Sequence, residues 1–216
     1  ERMPHVEDEM AFVWQAQVIT QGHLTLPSPP SPKSFLVPFV IDYHGERFGK
    51  YPLGWPIILS LGVAAGLRDW VNPLLAGLGI WLTYLLGKKF LSPPASLLGA
   101  ALLAASPMFL MISGSLLSHA WSLVLTLAFI LAWLDSFDEN GNIPKWLTVS
   151  IAGLSLGVLV LTRPMTAVGV GLPFFIHGLI LLARGTHQIR IRVLTIGLVA
   201  VISGSTLLLW QFAVTG

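Results

Sequence analysis

Between Lys89 and Asp135 the chain carries no Asp, Glu, Lys or Arg. A soluble fold cannot leave so long a stretch without charged side chains to meet water. A hydrocarbon core of about 30 Å takes roughly 20 residues of helix, so the stretch is long enough for two passes. Composition agrees. Of the 216 residues 54% are hydrophobic and 10% charged, where a soluble domain carries roughly 25% charged residues. That argues against a cytosolic globular enzyme. Ten of the formal charges fall within residues 1–50. The pattern reads as a polar front end and a membrane-embedded body.

The fold class expected is all-α: a polytopic membrane helix bundle with an outer loop containing interfacial helices. Spanning segments are expected at about 71–90, 95–114, 116–134, 146–162, 164–183 and 193–215. Ser150, Gly153, Ser155 and Gly157 suit close helix contacts in lipid. Connections on one side hold Lys88, Lys89, Lys145, Arg184, Arg190 and Arg192. The other side, apart from the long front segment, holds Arg68 and Arg163. The positive-inside rule puts the first set in the cytoplasm. Residues 1–70 then lie outside a multi-pass plasma (inner) membrane protein, together with the 113–118 turn and the Arg163 junction. The chain starts Glu-Arg-Met and ends on an apolar run, so it reads as an internal fragment. It has no cysteine and no Lys/Arg cluster that suggests nucleic acid.

In the outer segment, residues 8–21 read as a helix closed by Gly22, with Asp8 and Glu9 at the positive end of its dipole. Met10, Val13, Trp14 and Val18 lie near one face; Gln15, Gln17 and Gln21 lie largely elsewhere. The 27–32 stretch, PSPPSP, is extended, and Asp42-Tyr43-His44-Gly45 reads as a turn. Residues 51–67 are apolar but short, and read as a second helix along the interface. Were they to span, the six basic residues would face outward against the charge rule.

Four polar features share the expected outer side. Asp8-Glu9 either caps a helix or supplies a general base or divalent-cation ligands. Lys50-Tyr51 precedes the short apolar run. His119 is the only ionisable side chain between Lys89 and Asp135. It is either an interfacial histidine beside Trp121 or a donor to an anion. Arg163 is the only charge from Leu147 to Ala183. It is either a snorkelling anchor or a functional cation. His177, within a membrane helix, reads as a packed side chain. An acidic pair facing several cations suits chemistry on a phosphate-bearing lipid, the acids activating a nucleophile and the cations stabilising a phosphate leaving group.

These motifs resemble a known family. Asp8-Glu9, Phe12, Gln15-Ala16-Gln17 and Gly22 look like the first outer loop of GT-C glycosyltransferases, in particular the protein-mannosyltransferase and aminoarabinose-transferase-like branch. Tyr51-Pro52-Leu53-Gly54-Trp55-Pro56 resembles that branch's Pro-rich motif, with Leu53 where a second proline is usual. Ser106-Pro107, Ser118-His119 and Arg163-Pro164 also fit. The resemblance implies a polyprenyl-phosphate-linked sugar donor and inverting transfer to a lipid, glycan or protein acceptor on the non-cytoplasmic side. Asp8 then maps to the family's acidic catalytic position, accepting the proton of the acceptor hydroxyl, with Glu9 supporting it or binding a divalent cation, the one candidate cofactor. Lys50, Tyr51, His119 and Arg163 map to donor binding. The competing readings are a transporter or flippase fragment and a non-catalytic membrane subunit.

Overall fold

The computed structural model describes residues 4–216. Among these, helices α1 (Glu7–Thr20) and α2 (Gly54–Ala64) flank a small sheet and stand on a bundle of longer helices. The bundle runs α3 (Val71–Gly87), α4 (Pro93–Ala104), α5 (Pro107–Ser113), α6 (His119–Phe137), α7 (Lys145–Thr162), α8 (Pro164–Arg184) and α9 (His187–Thr215). By length and hydropathy five helices of the described residues can cross a membrane, or six if α4 and α5 form one broken span. The protein is an all-α polytopic membrane bundle.

The expected 95–114 segment is two helices, bent by 63° at the break. The reason is local. Pro107 cannot continue α4, so Ser106 leaves the helix and starts a new one. Its Oγ accepts from the Phe109 amide at 3.4 Å, with Pro107 in the first turn.

The inner helices are α6 and α7. Phe129, Ala132 and Trp133 of α6 pack with Val149 and Ala152 of α7 and Ile196 of α9. The α7–α9 contact depends on small residues. A Cβ added at Gly157 would lie 1.8 Å from Ser203 Oγ, and one at Gly153 would lie 2.6 Å from Val199. These glycines let the backbones approach as membrane helices require.

One end of the bundle carries the basic loops. There Lys89 pairs with Asp135, Lys145 Nζ donates to the Asp135 carbonyl at 3.0 Å, and Arg192 pairs with Glu139 at 2.8 Å. The opposite end carries α1, α2 and the sheet.

That sheet has three short antiparallel strands in the order β1-β3-β2: β1 Leu26–Pro27, β2 Val40–Tyr43 and β3 Glu46–Gly49. The expected 42–45 turn is the tip of a hairpin, and the apolar residues before it form a strand. His44 and Gly45 both have positive φ, 49° and 80°, which suits a two-residue hairpin turn. Arg47 pairs with its cross-strand partner Asp42 at 3.2 Å and donates to the Phe35 carbonyl. Gln15, expected off the apolar face of α1, is buried instead. Its Oε1 accepts from Gly49 N at 2.7 Å and its Nε2 donates to Leu24 O at 2.8 Å. One amide side chain thus ties α1 to the end of β3, the strand that delivers Tyr51.

Gly157→Val should drive α7 and α9 apart and lower the melting temperature of the purified protein, by an amount matching about 1–3 kcal/mol of overpacking. A Cβ at Gly77 meets nothing within 4 Å, so Gly77→Ala should melt no lower than the parent. Equal melting of the Gly157 variant and the parent would contradict this packing.

Candidate functional site

The site begins with two consecutive residues that point different ways, because neighbouring helix positions do not share a face. Glu9 turns inward and is 1% exposed. Its Oε2 accepts from the His5 amide at 2.7 Å and its Oε1 from the Leu116 amide at 2.9 Å. Asp8 turns towards a pocket, where the Tyr51 hydroxyl donates to its Oδ1 at 2.7 Å.

The Leu116 amide belongs to the turn that launches α6. Two more side chains hold that turn. Trp55 Nε1 donates to Leu116 O at 2.8 Å, and Asn72 Nδ2 donates to the carbonyls of Ser115 and Leu117 at 2.6 and 2.8 Å. Trp55 is fully buried and packs with Phe12, Val13, Ala16, Leu59 and Leu116. Helices α1, α2 and α3 therefore each place a side chain on the segment carrying Ser118 and His119. On the other side, Gly54 brings the start of α2 onto the end of α7. A Cβ there would lie 2.5 Å from Thr162 Oγ1 and 2.7 Å from Leu161 O. This sets Tyr51-Pro52 beside the Thr162-Arg163-Pro164 junction.

The result is a pocket of about 300 Å3 whose lining includes Asp8, Tyr51, Ser118, His119, Thr162 and Arg163. Four of the six residues singled out in the sequence thus meet here, from four separate stretches of chain. Lys50 and Glu9 are not in the lining. The Lys50 ammonium sits 4.8 Å from the Phe39 ring centroid and 5.9 Å from that of Tyr51. Trp55 entered the sequence reading only as part of the Pro-rich motif, and Asn72 was missed, although a lone Asn opening an apolar helix was a usable signal.

The pocket lining combines acidic and basic groups. It holds the Asp8–Tyr51 pair. Burial, the hydrogen bond to Asp8 and the nearby charges of Asp8 and Glu7 push the Tyr51 phenol up to about 12. It therefore stays protonated, and a donor to Asp8, across the physiological range. It also holds Arg163 and residues of the first turns of α6 and α8. Neither helix has a side-chain hydrogen bond at its N-cap, so both present unsatisfied amides and positive dipole ends. Buried His119 Nδ1 has no hydrogen-bond partner among the described residues. These groups suit an anion.

Both Glu9 oxygens accept from backbone amides. Among the described residues no group of three His, Cys, Asp or Glu side chains converges on a metal position.

Residues 69–215 match the family model described as Oligosaccharyl transferase STT3, N-terminal. The chain belongs to that family. It is accordingly a membrane glycosyltransferase of the GT-C superfamily, and the match carries no finer branch. Within this oligosaccharyl transferase family, lipid-linked donors and glycan or protein acceptors are the general substrate classes. The matched span holds His119 and Arg163, while Asp8 and Tyr51 precede it. No curated protein and no solved structure matches the chain.

Glu9→Ala would strand two amide donors, at about 1–3 kcal/mol for each one buried and unpaired. Hydrogen exchange of the 114–121 segment should accelerate and the melting temperature should fall. Unchanged exchange there would contradict the clamp. The phenol makes a second, spectroscopic prediction. The folded-state value of Tyr51 lies above the ordinary value near 10. Its contribution to stability is therefore intact below about pH 10 and lost as pH rises through about 12. Ultraviolet titration should show a late tyrosinate step that Tyr51→Phe removes. Identical titration curves would place Tyr51 outside this hydrogen bond.

Proposed function

We propose that this transferase moves a sugar from a polyprenyl-phosphate donor to an acceptor hydroxyl at the Asp8 pocket, with inversion at the anomeric carbon. The observation that carries the reading is the presence, in the lining of one small pocket, of a carboxylate together with Arg163 and two uncapped helix starts. Asp8 accepts the hydroxyl proton as the acceptor oxygen attacks the anomeric carbon. The bond from that carbon to the phosphate oxygen breaks, and its electron pair leaves with the phosphate. Arg163, His119 and the first-turn amides of α6 and α8 stabilise the charge that develops there. The volume of about 300 Å3 is at the small end of ligand sites and suits one glycosyl phosphate.

Tyr51 holds Asp8 by one oxygen. The other oxygen has no partner among the described residues, which leaves it for the acceptor. The basic loops at the far end of the bundle support a reading in which the pocket opens on the non-cytoplasmic face of the plasma (inner) membrane, with α1 and α2 lying along that surface. The likeness to the protein-mannosyltransferase and aminoarabinose-transferase-like branch rests on the Asp8-Glu9 and Tyr51-Pro52 motifs.

In the parent protein, Asp8→Asn should lower transfer of label from polyprenyl-phospho-sugars by about 10²–10⁴-fold, the usual range for loss of a general base. Melting should be unchanged. Arg163→Ala should weaken donor use by about 10- to 100-fold, the scale of a charge-assisted hydrogen bond. Normal turnover in the first variant, or unchanged donor affinity in the second, would remove the assignment.

A further inference from the structure

We infer that the groove between α3, α6 and α7 at the lysine end of the bundle is a binding site for an anionic phospholipid, with its phosphate at Lys88. The groove encloses about 710 Å3 and is apolar along its length. Its lining includes Ala128 and Ala132 of α6, small side chains among larger ones such as Trp81 and Ile151. It runs from Leu78 to Lys88 along α3, about 15 Å at 1.5 Å per residue. That is half of a hydrocarbon core of about 30 Å, so the groove has the depth of a single leaflet and ends in charge where headgroups begin. An acyl chain matches both its chemistry and its reach.

The charges at that end select the headgroup. Lys89 is paired with Asp135, and Arg192 with Glu139. Lys145 donates to the main-chain carbonyls of Asp135 and Asp138. Asp138 Oδ1 accepts from the Asn140 amide at 3.0 Å. Lys88 is exposed and lines the groove. Its ammonium stands over the Tyr84 ring at 5.2 Å, with no carboxylate partner among the described residues. The mouth thus has one surplus cation. A lipid with net negative charge neutralises it, whereas a phosphocholine lipid brings its own cation and gains less. One juxtamembrane lysine near an anionic headgroup corresponds to roughly fivefold in affinity. This site lies at the opposite end of the bundle from the Asp8 pocket and is independent of the reaction proposed there.

The test is to reconstitute the parent protein in nanodiscs of phosphatidylcholine doped with phosphatidylglycerol, extract it gently, and quantify retained phospholipids by mass spectrometry. The parent should retain phosphatidylglycerol above its bulk share. Lys88→Gln should reduce that retention roughly fivefold, and Ala128→Phe, which puts a large side chain into the lining, should abolish it. Arg184→Gln, a change outside the groove lining, should leave it intact. Retention at the bulk ratio in the parent, equal retention in Lys88→Gln, or no retained lipid because another helix covers the groove would each overturn the site. Should Ala128→Phe fail to fold, Lys88→Gln, a change on the exposed surface, decides alone.

Discussion

The site depends on one buried carboxylate. Glu9 accepts the amide of Leu116, 107 positions along the chain, and so joins the front segment to the helix bundle. A carboxylate suits the position because both of its oxygens accept, and two backbone amides need acceptors there. An unpaired amide in that environment costs about 1–3 kcal/mol, so the contact holds the 115–118 turn firmly against α1. Asp8 is the next residue back. The spacing between Asp8 and His119 is therefore set by a short, stiff path through Glu9. Trp55 and Asn72 take up the neighbouring carbonyls of the same turn, so three helices fix its position.

The remaining structure carries this clamp to the membrane. Gln15 fixes the end of β3 and hence the direction of Tyr51. Gly54 lets α2 settle on the end of α7, where Arg163 begins the next helix. Gly153 and Gly157 draw α9 against α7. In lipid there is little hydrophobic drive between helices, so close packing of small residues and a few polar contacts have to do this work. The same scarcity of polar groups explains why the ionisable residues left at one end of the bundle gather in one place.

Much of this was legible in the sequence. The charge-free run from Phe90 to Leu134 indicated a membrane body, and the isolated His119 and Arg163 stood out because nothing around them was charged. Gly153 and Gly157 were readable as contact residues by size alone. Other features were not legible, for physical reasons. The strands are two and four residues long, too short for alternation to register. The break at Ser106 needs one hydrogen bond and one proline, in a window whose hydropathy looks continuous. Gln15 and Glu9 look like solvent-facing residues by type. Their burial depends on partners 34 and 107 positions away, which no local pattern encodes. The sequence distinguished Asp8 from a supporting Glu9 but could not show that Glu9 turns inward onto the Leu116 amide.

In the proposed reaction a charged leaving group is held at the edge of a medium that disfavours charge. Arg163 and two uncapped helix starts would meet that need in the Asp8 pocket, whose carboxylate accepts a hydrogen bond from a protonated phenol. A cryo-EM map of the parent protein with bound polyprenyl phosphate tests this most directly. The account predicts phosphate density within hydrogen-bonding reach of Arg163 and the first turns of α6 and α8, facing Asp8. Phosphate density elsewhere, with the pocket empty, would contradict it.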